Sequence, residues 1–227
     1  GREGCLRLLL EARADPRQPM DDGACPLLTA AQEGHLGCLG LLLEFRADPR
    51  QATDDGVSPV LIAAQEGEEQ CLKLLLESRA DARQAREDGA MPAYFAALEG
   101  HEECLRLLAE FGAEPQRGQP MSPAFAAVSE GSLACLKLLL GLRADPSQKQ
   151  PDGASLVFAA AEQGQRRCLV TLLEHRADPS LARGDGASPV FIAAQEGQET
   201  CLQSLLASGA DPHAWTDTGD CPIAAAA

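Results

Sequence analysis

Residues 55–87 read DGVSPVLIAAQEGEEQCLKLLLESRADARQARE. Ser58 and Pro59 predict the start of a first helix, because a serine hydroxyl caps free backbone N–H groups and proline at the first helical position loses no hydrogen bond. Gly67 predicts the end of this helix, since glycine enters the left-handed conformation freely. The apolar run from Cys71 to Glu77 predicts a second helix, and Asp55-Gly56 at the start of the stretch predicts a tight turn.

The same unit recurs along the chain, and cysteine marks its period. The steps are 33 residues between Cys5, Cys38, Cys71 and Cys104, then 31 to Cys135, then 33 to Cys168 and 33 to Cys201. A fixed period of this length indicates a repeat architecture, in which each unit packs against its neighbours.

Three phrases of the unit resemble the ankyrin repeat, namely Asp55-Gly56-Val57-Ser58-Pro59, Ala30-Ala31-Gln32-Glu33-Gly34-His35 and Gly209-Ala210-Asp211-Pro212. The resemblance covers essentially all 227 residues. It implies an all-α solenoid with two antiparallel helices and a projecting β-turn finger in each repeat. A single array 1–227 is expected, with partial repeats 1–21 and 218–227 and full repeats 22–54, 55–87, 88–118, 119–151, 152–184 and 185–217.

Two departures from the family pattern have structural consequences. Arginine replaces the glycine that follows the second helix at Arg13, Arg46, Arg79, Arg143 and Arg176. A non-glycine residue in a left-handed cap costs about 1–2 kcal/mol, so these caps are either strained or closed by another geometry. In addition, the finger between Pro115 and Gln119 is two residues short, which predicts that packing is least regular at the junction of repeats 88–118 and 119–151.

Composition excludes several classes of partner. The net charge of −15 argues against binding to nucleic acid or to an anionic membrane surface, and favours at most a basic partner. The apolar runs, such as Leu41 to Leu43, are far shorter than the roughly 20 residues that span a membrane. The chain opens with Gly1 rather than Met and stops inside a repeat, so it is expected to be a piece of a longer protein.

The nine cysteines allow a chemical and a structural interpretation. Equivalent helices in a stack are about 8–10 Å apart, too far for a disulfide or a shared metal ion between neighbouring thiols. We call the seven cysteines at the repeat period the cysteine ladder. We therefore prefer the interpretation that these thiols pack in the core to one in which they form a redox or metal site. Cys25 and Cys221 lie off the ladder, at the capping position, and are expected to be more exposed. Unpaired thiols indicate a reducing compartment, the cytoplasm or the nucleus.

No residue set indicates catalysis or a cofactor. His35 and His101 occupy a position that the family also fills with histidine, and the glycines are spaced as helix stops rather than as a phosphate-binding loop. Neither an enzyme nor a small-molecule substrate is expected.

A candidate surface for a protein partner runs beside the inner helices. Its acidic residues are Glu33, Glu66, Glu99, Glu130 and Glu196. They are interpreted first as a solvated polar face, and alternatively as a groove for a basic or amide-rich segment. Apolar or small neighbours expected to face the same groove are Thr29, Ile62, Phe95 and Ile192. The fingers add Arg17, Arg50, Arg83 and Trp215; the tryptophan either anchors a partner or packs against a further repeat.

The resulting hypothesis is a non-enzymatic scaffold that binds a protein or an extended peptide, possibly basic, through its groove and fingers. The alternative is a targeting or regulatory segment of a larger enzyme or channel, with the activity outside these residues. A third hypothesis, a thiol ladder for redox or metal chemistry, predicts that most cysteines are accessible.

Overall fold

A computed structural model describes residues 1–20, 23–113 and 121–227. The chain divides into two compact units, Gly1–Glu114 and Pro115–Ala227. Within the described residues the structure is helical, and the only β-bridge joins Lys149 to Ser155. The shortened finger lies outside the described residues, so the predicted irregularity at that junction stays a prediction.

The first unit contains seven helices among its described residues. They are α1 (Glu3–Glu11), α2 (Pro26–Gln32), α3 (Leu36–Glu44), α4 (Pro59–Glu66), α5 (Glu69–Glu77), α6 (Pro92–Leu98) and α7 (Glu102–Glu110). Inner helices α2, α4 and α6 pack side by side, and outer helices α1, α3, α5 and α7 form a second layer against them.

The second unit repeats this arrangement, again counted over its described part. Its helices are α8 (Pro123–Ser129), α9 (Leu133–Gly141), α10 (Leu156–Glu162), α11 (Arg166–Glu174), α12 (Pro189–Gln195), α13 (Glu199–Ala207) and α14 (Pro222–Ala225). Helices α8, α10, α12 and α14 form the inner layer, and α9, α11 and α13 the outer one.

The helix boundaries follow the predicted signals. Ser58 Oγ accepts a hydrogen bond from the Leu61 backbone N–H at 3.2 Å, as expected of an N-cap. Gly67 ends α4 in the left-handed conformation, with φ of 75°. Ala63 and Ala64 are fully buried, so small side chains let neighbouring inner helices approach closely. The second helix begins at Glu69, two residues earlier than the apolar run indicates.

The five arginine caps are left-handed, which resolves the alternative that the sequence leaves open. Their φ values lie between 66° and 69° at Arg13, Arg46, Arg79, Arg143 and Arg176. The chain therefore keeps the backbone geometry that suits glycine and accepts the steric cost of a side chain there.

Tight turns lie at four of the predicted Asp-Gly pairs, namely Asp55-Gly56, Asp88-Gly89, Asp152-Gly153 and Asp185-Gly186. In the turn before α4, the Gly56 N–H donates to the Thr53 carbonyl at 2.9 Å. Adjacent fingers are joined through the backbone, for example from the Glu87 N–H to the Asp55 carbonyl at 3.1 Å and from the Asp217 N–H to the Asp185 carbonyl at 3.1 Å. These bonds hold the fingers that they join in register.

Over the described ranges, no helix combines the length and the apolar character that crossing a membrane requires.

Candidate functional site

The acidic candidates lie where the inner helices end. Glu66 is the last residue of α4, and Glu33 and Glu99 cap α2 and α6. All three are exposed, and consecutive packing of the helices aligns them along one edge of the first unit. We call Glu33, Glu66 and Glu99 the acidic row. Among the described residues, none of the three forms a salt bridge, so their charge is left to solvent or to a partner.

The second unit has exposed carboxylates at the same helical position. Glu130 and Glu196 cap α8 and α12. The Gln195 side-chain amide donates weakly to Glu196 Oε1 at 3.4 Å. Each unit therefore presents acidic residues at the carboxyl ends of its inner helices.

The expectation that Ile62, Phe95 and Ile192 are exposed in the groove is wrong. Their exposed fractions are 8%, 8% and 4%. Inner helices flank α4 and α12 on both sides, and α6 packs against α4. Phe95 also contacts the Tyr94 ring in an edge-to-face arrangement, with centroids 5.4 Å apart. These side chains belong to the core of the stack rather than to a free surface.

Thr29, at the same position in α2, is half-buried. Its hydroxyl donates to the Cys25 carbonyl of the preceding turn at 3.5 Å. It therefore offers only part of its surface to a partner.

The finger arginines of the first unit bind the chain itself. Arg17 donates to the Arg46 carbonyl, Arg50 to the Arg79 carbonyl at 3.1 Å, and Arg83 to the Gly112 carbonyl at 2.6 Å. Each acceptor is the left-handed residue after the outer helix of the following repeat. Sequence reasoning treated these arginines as a contact surface and missed this link between repeats.

Trp215 is 66% exposed in the finger before α14. The turn beside it is closed by the Thr216 N–H, which donates to the Asp220 carbonyl at 2.9 Å. Trp215 is the only tryptophan of the chain, and its large indole is exposed on a hydrogen-bonded turn.

Two ion pairs that the sequence reasoning missed lie at the base of fingers. Arg86 binds Asp88, and its guanidinium lies 5.2 Å from the centroid of the Phe95 ring. Arg183 binds Asp185 at 2.6 Å and lies 4.8 Å from the Phe158 centroid. The sequence feature that could have indicated these pairs is an arginine two residues before the aspartate of an Asp-Gly turn.

These arginines lower the pKa of the carboxylates that they bind. The hydrogen bond from Arg86, followed by one from the Ala90 N–H, lowers the pKa of Asp88 to about 2. The hydrogen bond from Arg183, followed by one from the Ala187 N–H, lowers the pKa of Asp185 to about 2. Both carboxylates are thus charged at neutral pH and occupied within the chain.

The nine cysteines are thiols rather than disulfides, and six of the seven ladder thiols are buried. Cys5 is the exception, because its helix α1 packs mainly against α3. Burial, with the nearby charge of Glu68 second, raises the pKa of Cys71 to about 11. In the described part of the chain, no group of three or more His, Cys, Asp or Glu side chains is arranged to hold a metal ion.

The expected exposure of Cys25 is wrong. Cys25 is 2% exposed, and its Sγ accepts the Leu28 N–H at 3.4 Å, so the thiol acts as the N-cap of α2. Cys221, at the same position before α14, is half-buried.

Comparison with known proteins shows which family and which solved structures this fold is similar to. The sequence model for ankyrin repeats, which spans three copies, matches residues 1–86, 36–119, 62–150 and 124–215. The crystal structure of the human ASB11 ankyrin repeat domain matches with a TM-score of 0.85 and 26% identity, over 90% of this chain and 92% of that one. The Bcl-3 ankyrin repeat domain, from a member of the IκB family, matches in fold with a TM-score of 0.77 and 22% identity, over 91% of this chain and 96% of that one.

A search among curated proteins found no match. The family match extends over nearly the whole sequence, and the helix pairs, turns and caps agree with it. This chain belongs to the ankyrin repeat family.

Proposed function

We propose that this chain is a protein-binding module and that the acidic row of its first unit contacts a basic or amide-rich segment of a partner. Ankyrin repeat domains generally mediate protein–protein interactions, which supports the general assignment. The observation that carries the specific site is the set of exposed carboxylates at Glu33, Glu66 and Glu99, which repeat at one helical position without an ion pair in the described structure.

Electrostatics favours a basic partner for this edge. The chain carries a net charge of −15, so a positively charged segment is attracted from a distance before contact. Aligned, exposed carboxylates then fix the orientation of that segment through several weak ion pairs. We assign no enzymatic activity and no small-molecule substrate to the chain.

The proposed surface excludes some of the residues expected from sequence. The side chains of Ile62, Phe95 and Ile192 are buried in the core of the stack. Arg17, Arg50 and Arg83 hold neighbouring repeats together. Glu130, Glu196 and Trp215 remain candidate contacts of the second unit, because their side chains are exposed.

The test compares two sets of glutamates in the same repeats. One variant changes Glu33, Glu66 and Glu99 to Gln. The matched control changes Glu44, Glu77 and Glu110, which are exposed at the ends of the outer helices, to Gln. Both variants lose three negative charges. Proteins captured from a lysate of the source cells are quantified by mass spectrometry for the parent chain and both variants.

We expect specific captured proteins, rich in basic segments, to be lost from the acidic-row variant and retained by the control. Equal loss from both variants would show that net charge, and not the row, governs capture. An unchanged set would show that this edge is not the site.

We also propose that the protein works in a reducing compartment, the cytoplasm or the nucleus, because its nine cysteines are thiols rather than disulfides. Fluorescence microscopy of the tagged full-length protein in its source cells tests this. Location in a secretory compartment would contradict it.

A further inference from the structure

The start of α11 carries charges of unusual sign. Two residues before the ladder cysteine, the other outer helices have an acidic or an apolar residue, whereas α11 has Arg166, followed by Arg167. The other residues at the Arg166 position are Glu3, Leu36, Glu69, Glu102, Leu133 and Glu199. The first turn of a helix favours acidic side chains, because its backbone N–H groups carry partial positive charge. Helix stability therefore does not account for two arginines here.

These arginines line a groove between two outer helices. Helices α9 and α11 are neighbours in the second unit, and the groove between them has a volume of about 340 Å³. Lys137 of α9 lines it together with Arg166 and Arg167 of α11, and Leu133 and Val170 contribute an apolar floor. All three basic residues are exposed. We call Lys137, Arg166 and Arg167, with this floor, the cationic groove.

The equivalent position in the first unit shows what the cationic groove lacks. Arg106 of α7 has the register of Lys137, and it is paired with Glu102 at 2.7 Å and Glu103 at 3.2 Å. In α9, Leu133 and Ala134 replace those glutamates. Within the described residues none of the three groove cations forms a salt bridge, and Glu174 is the only carboxylate in the lining.

We propose that the cationic groove is a second docking surface, which binds an acidic segment of a partner protein. Three cations facing one carboxylate leave a local excess of positive charge in a strongly acidic chain, and charge complementarity selects a negative ligand. The apolar floor of Leu133 and Val170 accepts an aliphatic side chain, which suits a peptide rather than a nucleic acid. This surface is independent of the acidic row and of the partner proposed for it.

A defined probe tests the groove on the complete 227-residue chain. The probe is a fluorescein-labelled peptide of repeated Glu-Glu-Leu, and a Gln-Gln-Leu peptide of equal length is its neutral counterpart. Binding is followed by fluorescence anisotropy at low and at physiological ionic strength. The test variant is R166Q/R167Q, and R46G/R79G is the matched control, since it also removes two exposed positive charges.

We expect the Glu-Glu-Leu peptide to bind the parent chain and the control alike, and the R166Q/R167Q variant to bind at least about fivefold more weakly. A second variant, R166E/R167T, carries the residues that α13 has at Glu199 and Thr200, so it is compatible with the fold and should weaken binding further. Circular dichroism verifies that each variant is folded.

Three results would overturn the proposal. These are equal weakening in the test and control variants, binding of the Gln-Gln-Leu peptide as tightly as the acidic one, and absence of binding at low ionic strength. Displacement of the peptide by a short oligonucleotide at equal concentration would assign the groove to nucleic acid instead. The lysate experiment on Glu33, Glu66 and Glu99 changes none of these residues, so failure of one proposal leaves the other open to its own test.

Discussion

The guanidinium of Arg17 donates two hydrogen bonds to the backbone carbonyl of Arg46, from Nε at 3.0 Å and from Nη2 at 2.9 Å. The acceptor lies 29 residues later, two residues beyond the end of α3 in the next repeat. A guanidinium in one finger therefore binds the backbone where the chain leaves the outer helix of the following repeat, and connects the two repeats.

We expect Arg17→Ala to lower the free energy of unfolding by about 1 kcal/mol, because a charge-assisted bond to an otherwise solvated carbonyl is lost. Urea denaturation followed by circular dichroism measures this. The control is Arg2→Ala, an exposed arginine before α1, which should change stability by less than about 0.5 kcal/mol. Equal effects of the two substitutions would show that the Arg17–Arg46 bond adds nothing to stability.

Arg79→Gly should stabilise the protein by about 0.5–1 kcal/mol. Arg79 has φ of 66°, where a side chain costs about 1–2 kcal/mol and glycine is unstrained. The greater freedom of glycine in the unfolded chain offsets part of this gain. The Arg79 carbonyl that accepts from Arg50 is backbone, so the substitution keeps that bond.

The residue before Arg79 provides the matched control. Ser78 caps α5 with φ of −82°, an ordinary value, so Ser78→Gly removes no strain and adds only unfolded-state freedom. It should destabilise the protein by about 0.5 kcal/mol. If both substitutions destabilise the protein, the backbone strain at Arg79 is relieved in some other way, and the prediction for Arg79→Gly is wrong.

Local backbone features were predictable from sequence because their causes are local. Ser58 and Gly67 act on the adjacent peptide groups, and each was found in the predicted role. The exposure of Ile62 and Phe95 depends instead on what the neighbouring repeats place over them, and that expectation was wrong. The Arg17–Arg46 bond likewise joins two repeats, and no pattern within one repeat indicates it.

Among the candidate residues, the exposure of charged side chains was easier to predict than the contacts of uncharged ones. A row of glutamates at helix ends is exposed because ionised side chains resist burial, as found for Glu33, Glu66 and Glu99. Cys25 shows the opposite case, since a thiol either packs or stays exposed according to its surroundings. Here it serves as a buried cap.

Thiol labelling should separate the cysteines by burial. In the native protein we expect iodoacetamide to modify Cys5 first and Cys221 next, because they are exposed and half-buried. The other seven thiols are buried and should react only on the time scale of local unfolding. Peptide mass spectrometry measures the extent at each site, and labelling in urea, where all nine react, is the control. Rapid modification of Cys71 or Cys104 in the native protein would contradict core packing.

Stability should decline at alkaline pH, partly through Cys71. Its pKa is about 11 in the folded chain, against 9.0 for an unperturbed thiol, because burial and then the charge of Glu68 disfavour the thiolate. The folded state therefore holds the thiol proton more tightly. That contribution is complete below about pH 9 and is lost as the pH rises through about 11. It amounts to at most about 3 kcal/mol.

Cys71→Ala isolates this effect from the titration of lysine and tyrosine, which both proteins share. We expect the stability difference between parent and variant to shrink from pH 8 to pH 11, measured by urea unfolding. A difference that is constant across this range would show that ionisation of Cys71 does not affect folding.

Gly67 and Gly197 should respond differently to the same substitution, although both follow an inner helix in the left-handed conformation. A Cβ on Gly67 would lie 2.6 Å from Cε1 of the His101 ring in the next repeat, whereas at Gly197 no described atom lies within 4 Å. Gly197→Ala should therefore cost about 1 kcal/mol from backbone strain alone. Gly67→Ala should cost more, because the histidine must also move.

His101→Ala in the Gly67→Ala background tests where the extra cost arises. If the imidazole is the obstacle, the double variant should lose no more than the strain cost measured at Gly197, once the effect of His101→Ala alone is subtracted in a double-mutant cycle. Equal costs for Gly67→Ala and Gly197→Ala would mean that His101 swings aside freely. In that case the contact between Gly67 and His101 does not help to set the register of the stack. Helix packing and the bonds between fingers then set it.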